Sequence, residues 1–385
     1  EDTGVTAMLS LGLGAAGLSP REPWLRRREA AKLALGAGGT VFLPEARAAP
    51  PRPSSAPPRL PALGLGAWAW GDTLFWGYDE KNDAQLAEVF DYAVEQGVRF
   101  FDTAEIYGLG RSETLLGKFC AANPAAADVQ IATKFAALPW RTKAADVVEA
   151  AKRSTARLGR PIDLYQVHFP NAWANERYWD GLAACVDDGL VRAAGVSNYG
   201  KEALRACHAK LAERGVKLVS NQVQLSLIYP YPLLNGLCAA CDELDVQVLA
   251  YSPLGLGLLT GKYELPDKLP DGPRRDLAKA YLADPNFGKL IESLRAVGGA
   301  HDGASPAAVS LAWCIAKGAC VIPGARTRTQ AASNVAAAKL RLSEAEVARL
   351  DAAAAALDKS GAQLKPDSAP FPKKDIFTGM TMFDS

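Results

Sequence analysis

Along residues 60–357 two hydrophobic patterns alternate. Short apolar runs rich in β-branched residues fall at 63–69, 98–102, 129–134, 163–168, 193–197, 218–224, 246–251 and 320–322, each the length of one buried strand. The stretches between them carry apolar residues at helical spacing, as in Ala144, Val147, Val148, Ala151 and Leu158, which mark one buried face. Boundary chemistry agrees with this reading. Ser305-Pro306 offers an N-cap with proline at the first helical position, and Ser343 with Glu346 three residues on makes a capping box. Strand-then-helix repetition with short connections predicts a parallel sheet with right-handed crossovers, either open and doubly wound or closed. Eight units favour closure, an α/β chain folded as a (β/α)8 TIM barrel. An open sheet would need a glycine fingerprint where a helix follows the first strand. Leu63-Gly64-Leu65-Gly66 has the glycines, but they lie inside the strand, and Trp68 and Trp70 follow where a helix should begin.

The flanks read differently from this core. Residues 1–58 are rich in Ala, Gly, Pro and Arg, with Arg26-Arg27-Arg28 before a mildly apolar run at 33–43, then Ala46-Arg47-Ala48 and a proline-rich linker at 50–58. The run is too short to span a membrane. It is read as a targeting leader of plastid or twin-arginine-like type, with the chloroplast stroma favoured over the thylakoid lumen; a disordered extension is the alternative. The barrel is expected over 59–357, and 358–385 as a C-terminal tail.

Composition narrows the partner. Forty-three basic residues against 42 acidic ones, without long runs of either sign, give no footprint for nucleic acid or a membrane surface. A small molecule is the expected partner, and a monomer or weak dimer the expected state. Seven cysteines in apolar segments imply reduced thiols, and Cys238 with Cys241, in an apolar helical stretch at 233–244, is read as structural.

In such a barrel the chemistry sits at the C-terminal strand ends. Asp102, Lys134 and His168 end three successive strands, and Tyr107 follows Asp102 in a loop with Gly108 and Gly110. Each alone has a structural explanation, but packing does not require the set. The segments Phe101-Asp102-Thr103-Ala104-Glu105-Ile106-Tyr107-Gly108, Ala132-Thr133-Lys134, Asp163-Leu164-Tyr165-Gln166-Val167-His168 and Gly195-Val196-Ser197-Asn198-Tyr199 resemble, in order, motifs of the aldo-keto reductase superfamily. Trp68-Ala69-Trp70-Gly71, Phe75-Trp76-Gly77-Tyr78 and 254–263 are similar to its plant chloroplast pyridoxal reductase-like branch.

The resemblance implies reduction of an aldehyde or ketone by NADPH, with Asp102, Tyr107, Lys134 and His168 as the catalytic set. A carbonyl takes hydride at carbon when its oxygen is polarised and then protonated. Tyr107 is the expected donor, its phenol made more acidic by the Lys134 ammonium, which Asp102 keeps charged. For the nicotinamide the resemblance implies Ser197, Asn198 and Gln222, with Tyr251 stacked on the ring. The glycine-punctuated run with Ser252, Leu254, Gly255 and Lys262 is expected to cover the pyrophosphate, and Gly324, Arg326, Gln330 and Asn334 to meet the adenosine end. Part of the superfamily has lysine directly after Ile-Pro and arginine where Gln330 stands; here Lys262, Arg326 and Arg328 are the compensating charges. Trp68, Trp70, Trp76, Trp140 and Trp173 are the expected wall for a flat aldehyde such as pyridoxal. The alternative is a slow, cofactor-binding redox-sensing subunit.

Overall fold

A computed structural model of the protein describes residues 60–359 except 172, 264–267, 271 and 273. The leader and linker expected over 1–58 lie outside the described residues, as does the tail expected over 358–385 apart from its first two residues, which complete the last helix at Lys359. All eight strands form: β1 (Leu65–Gly66), β2 (Phe100–Asp102), β3 (Gln130–Phe135), β4 (Leu164–Val167), β5 (Ala194–Ser197), β6 (Leu218–Gln224), β7 (Gln247–Tyr251) and β8 (Cys320–Val321). They pair in chain order and in parallel, and the bridges Leu63↔Val321 and Gly66↔Gly324 join the last strand to the first. β1 is shorter than expected because the chain turns away at Ala67, whose carbonyl accepts from Trp70 N–H at 2.9 Å.

Around the sheet run α1 (Asp83–Glu95), α2 (Arg111–Ala122), α3 (Ala144–Leu158), α4 (Asn175–Asp187), α5 (Lys201–Ala212), α6 (Tyr231–Leu234) and α7 (Leu237–Glu243). The remaining helices are α8 (Arg274–Leu282), α9 (Pro285–Gly299), α10 (Pro306–Ala316), α11 (Arg328–Lys339) and α12 (Glu344–Lys359). On α3 the buried side is Val147, Ala150, Ala151, Ser154 and Leu158, with Val148 only partly covered. Ser305 caps α10 by accepting from Ala308 N–H at 3.1 Å, and Ser343 and Glu346 exchange bonds at the start of α12. The helical stretch expected at 233–244 is instead two short helices, broken where Gly236 takes φ of 81°. All seven cysteines are free.

One apolar layer separates strands from helices and a second fills the barrel bottom: Leu60, Phe100, Ala132, Leu164, Ala193, Val219, Leu249, Cys320 and Ile322. Phe100 explains the early glycines, since a Cβ on Gly64 would lie 2.4 Å from Phe100 Cδ1. Gly64 makes room for a phenyl ring rather than for a dinucleotide. Side chains on a strand alternate between faces, so two residues beyond Phe100, Ala132 and Leu164 the interior receives Asp102, Lys134 and Gln166. A polar layer thus rests directly on an apolar floor.

Candidate active site

The polar layer is tied together by its own side chains. The fully buried Lys134 ammonium donates to Asp102 Oδ1, to the Thr103 carbonyl at 2.7 Å and to Tyr107 Oη at 3.4 Å. The second Asp102 oxygen accepts from Gln222 Nε2 at 2.8 Å and Gln166 Nε2 at 3.1 Å. An ion pair this deep repays its desolvation only when the remaining lone pairs are also satisfied, and here they are. Gln166 was not singled out from the sequence. Gln222, assigned there to the nicotinamide, has its NH2 group committed to the carboxylate.

The loop carrying Tyr107 is fixed from below. Gly108 (φ 55°), Leu109 (φ 53°) and Gly110 (φ 93°) turn it sharply, and a Cβ on Gly108 would meet the Gly71 carbonyl at 2.2 Å. The first turn of α2 then locks to three strands. Ser112 Oγ donates to the Ala67 carbonyl at 2.8 Å while accepting from Thr103 Oγ1 at 2.7 Å. Glu113, fully buried, accepts from Thr133 Oγ1 at 2.6 Å and from Arg157 Nε at 2.5 Å. Glu113 looks like any helix carboxylate in sequence; the SE pair after the glycine loop was the available signal.

His168 faces Tyr107 edge-on, ring centres 5.7 Å apart, and stacks on Phe169 at 4.4 Å. Its Nδ1 is buried with no hydrogen-bond partner among the described residues. Burial, reinforced by the Lys134 charge, holds the imidazole pKa well below its usual value, so the ring is neutral at pH 7.

Tyr107 departs from expectation. Burial, and then the charges of Asp102 and Asp72, push its phenol well above the usual value. Burial also lowers Lys134, against the pull of Asp102. The ammonium does not acidify the phenol in this state, because Asp102 already takes up most of its field while desolvation penalises phenolate directly. The site therefore holds a phenol that keeps its proton.

On the neighbouring strand ends Asn198, at φ 62°, accepts from Tyr251 Oη at 3.0 Å and donates to the His168 carbonyl at 3.2 Å. Ser197 Oγ donates to the Gln222 carbonyl at 2.9 Å. After β7 a tight turn (Gly255–Thr260) follows Ser252 and Leu254, with positive φ at Ser252, Gly255, Leu256 and Gly257. Lys262 is exposed, its ammonium 4.8 Å from the Tyr263 ring. Arg326, Thr327 and Gln330 line a cleft of about 150 Å³ with Tyr78, Asn82 and Gln85. Within that group Gln330 Oε1 accepts from Arg326 N–H at 2.7 Å. Asn334, expected at the adenosine end, is buried and donates through Nδ2 to the Gly324 carbonyl at 3.3 Å.

One residue missed in the sequence joins this side. The Arg274 guanidinium lies 4.7 Å from the centre of the Trp76 ring and that of Arg326 5.9 Å. Among the described residues neither has a carboxylate partner and Arg274 Nε is buried without an acceptor; the Arg274 guanidinium otherwise donates to the Leu256 carbonyl and Tyr263 Oη at 3.4 Å, and that of Arg326 to the Trp76 carbonyl at 3.0 Å. Arg274 lies on a helix that follows a long loop, so no spacing rule led to it.

The tryptophans divide. Trp68 stacks on Phe75 at 4.9 Å and on Tyr107 at 6.0 Å, and meets Trp76 edge-on at 5.5 Å. Trp70 is not part of this wall: it is 0% exposed, packs on Phe101 and Phe119, and donates to the Ala325 carbonyl. Trp140 and Trp173 stand 74% and 62% exposed on the loops after β3 and β4.

A closed parallel barrel with a lysine, tyrosine, histidine and carboxylate gathered at its C-terminal mouth defines a class of oxidoreductase barrels. The family model for the aldo/keto reductase family matches residues 62–355, and the chain belongs to that family. Among curated proteins it is 40% identical over 315 residues to the chloroplastic pyridoxal reductase of Arabidopsis thaliana, covering 77% of this chain and 84% of that one. Among solved structures it is similar to a thermostable aldo-keto reductase in complex with epalrestat: 28% identity, TM-score 0.63, 76% of this chain and 95% of the other. It is also similar to an aldo/keto reductase from Klebsiella pneumoniae in complex with NADP and acetate: 25% identity, TM-score 0.59, 76% and 91% coverage.

Proposed function

We propose that this protein reduces a flat aldehyde to the alcohol with NADPH, that Tyr107 donates the proton, and that pyridoxal is the leading substrate. The observation that carries the reading is the Lys134 ammonium, 3.4 Å from Tyr107 Oη and held by Asp102, with the neutral His168 ring across the gap. The name of the Arabidopsis relative supports pyridoxal, and the NADP-bound Klebsiella structure supports the cofactor. The same relative supports a plastid location, for which the leader at 1–58 would be the address.

The residues present suit a dinucleotide. Arg274 and Arg326, uncompensated by carboxylates among the described residues, suit its phosphates, with Lys262 close by in sequence. Ser197 and Asn198 at the end of β5 and Tyr251 at the end of β7, joined by the Tyr251–Asn198 hydrogen bond, would hold the nicotinamide. When bound, the reduced cofactor supplies the hydride to the carbonyl carbon. Tyr107 and neutral His168 orient and polarise the carbonyl oxygen by hydrogen bonds, the stabilisation growing as negative charge develops there. Tyr107 gives up its proton to that oxygen, and the resulting phenolate is met by the Lys134 ammonium. Charge developing on the carbonyl oxygen thus draws off a proton that the buried phenol otherwise keeps. Trp68 presents a flat face to the substrate ring, while Trp76 buttresses it edge-on and carries the Arg274 and Arg326 guanidiniums.

Oxidation of NADPH followed at 340 nm with pyridoxal and a panel of benzaldehydes tests the proposal. Turnover with pyridoxal supports it; activity on other aldehydes with none on pyridoxal removes the substrate, and inactivity on all of them removes the reductase reading.

A further inference from the structure

Charge is distributed unevenly around the mouth. In the loops after β1 to β4 and the helix turns they enter, the cations nearest the ring wall are spoken for. Lys134 pairs with Asp102, Arg141 with Glu105 at 2.5 Å, and Arg111 with Asp83 at 2.6 Å. Lys143 and Arg177, which have no carboxylate partner among the described residues, are exposed, and Arg177 donates to the Thr142 carbonyl. Asp72 is the opposite case, a half-buried carboxylate with no cation partner among the described residues. It is held in place by Trp68 Nε1 at 2.9 Å and Phe75 N–H at 2.8 Å. Since Trp68 stacks on both Phe75 and Tyr107, this carboxylate sits at the edge of the aromatic wall beside the reacting phenol.

Resting on the reductase reading, we propose that Asp72 is a specificity-determining residue that makes the site accept uncharged or cationic flat aldehydes and reject those bearing a phosphate or carboxylate. An anionic substituent brought against the Trp68 wall would lose water, find no free cation and face a fixed negative charge, a juxtaposition that costs affinity steeply in a partly desolvated site. A protonated ring nitrogen or amine would gain a partner. The guanidiniums of Arg274 and Arg326 lie against Trp76 and already donate elsewhere, that of Arg274 to the Leu256 carbonyl and Tyr263 Oη at 3.4 Å and that of Arg326 to the Trp76 carbonyl at 3.0 Å. The influence of Asp72 reaches Tyr107 as well, where it helps keep the phenol protonated.

The test compares kcat/KM for matched pairs, benzaldehyde against 4-carboxybenzaldehyde and pyridoxal against pyridoxal 5′-phosphate, in the wild-type protein and in Asp72→Asn. Trp68 and Phe75 donate to separate oxygens of Asp72, so the amide removes the charge and keeps one acceptor, for one of the two donors. The neutral member is expected to be favoured at least about tenfold, and Asp72→Asn to narrow that ratio at least about threefold by improving the anion. A second readout needs no turnover: quenching of tryptophan fluorescence by benzyl alcohol and by 4-carboxybenzyl alcohol, with the neutral one binding tighter. Equal use or equal binding within each pair, or a ratio unmoved by Asp72→Asn, overturns the inference. Absence of turnover with every aldehyde would instead strike at the reductase reading, and the binding ratio would still decide this one.

Discussion

The two sides of the barrel mouth treat charge in opposite ways. Behind the loops after β2 to β4, Lys134, Asp102, Arg141 and Glu105 are paired, and Asp102 also takes two glutamine amides. At the loops after β7 and β8, Arg274 and Arg326 lie on Trp76 with no carboxylate partner among the described residues, and burial and the Arg274 charge work against the Arg326 cation. A closed network holds a proton at a defined atom; an open pair of cations waits for an anion. Binding and chemistry should therefore separate by side.

The largest effect expected is on the closed side. Lys134→Met leaves Asp102 buried without its cation, so turnover should fall by about 10³-fold or more and folding stability by about 3 kcal/mol, read by initial rates and urea unfolding. Adding Asp102→Asn should restore part of the stability and none of the rate. On the open side, Arg274→Ala or Arg326→Ala should weaken NADPH binding by about 10- to 100-fold, the loss of one charge-assisted contact, while kcat at saturation changes little. Titration calorimetry with NADPH checks this, and a loss of kcat with unchanged affinity would erase the distinction between the sides. Glu113→Gln, which keeps the bond to Thr133 but weakens the hold of Arg157 under the Tyr107 loop, should lower kcat by about tenfold with cofactor affinity intact. The smallest effect concerns pH. The His168 pKa is depressed in the folded state, so the unfolded chain binds the extra proton first as pH falls through the ordinary histidine range. Stability should drop there by up to about 1.4 kcal/mol per pH unit, and that increment should vanish in His168→Gln.

Much of this architecture is legible in the residue pattern, for identifiable reasons. Strand positions follow from apolar runs bounded by helical spacing, and the gathering of Asp102, Lys134 and His168 at one rim follows from ending three of those runs. What escapes is whatever depends on closure. Gln166 and Gln222 meet Asp102 only because β2, β4 and β6 point into one interior, across 64 and 120 residues of chain. Glu113, Asp72 and Arg274 carry no local mark, since burial and missing partners are properties of the fold. Trp68 and Trp70 are two residues apart, yet one lines the mouth and the other the core, because the chain turns between them at Ala67 to Trp70. The direction of the Tyr107 shift was missed for a related cause. Charges can be counted from sequence, but desolvation, the largest influence on that phenol, cannot.

The claim on which the rest depends is that Tyr107 transfers the proton while the far side of the mouth binds the cofactor independently. Tyr107→Phe removes one oxygen and leaves the ring stacked on Trp68. Measured on one preparation, the rate of pyridoxal-dependent NADPH oxidation should fall by about 10³-fold or more, with the NADPH dissociation constant within about twofold of wild type. Turnover remaining within about tenfold of wild type would contradict the account.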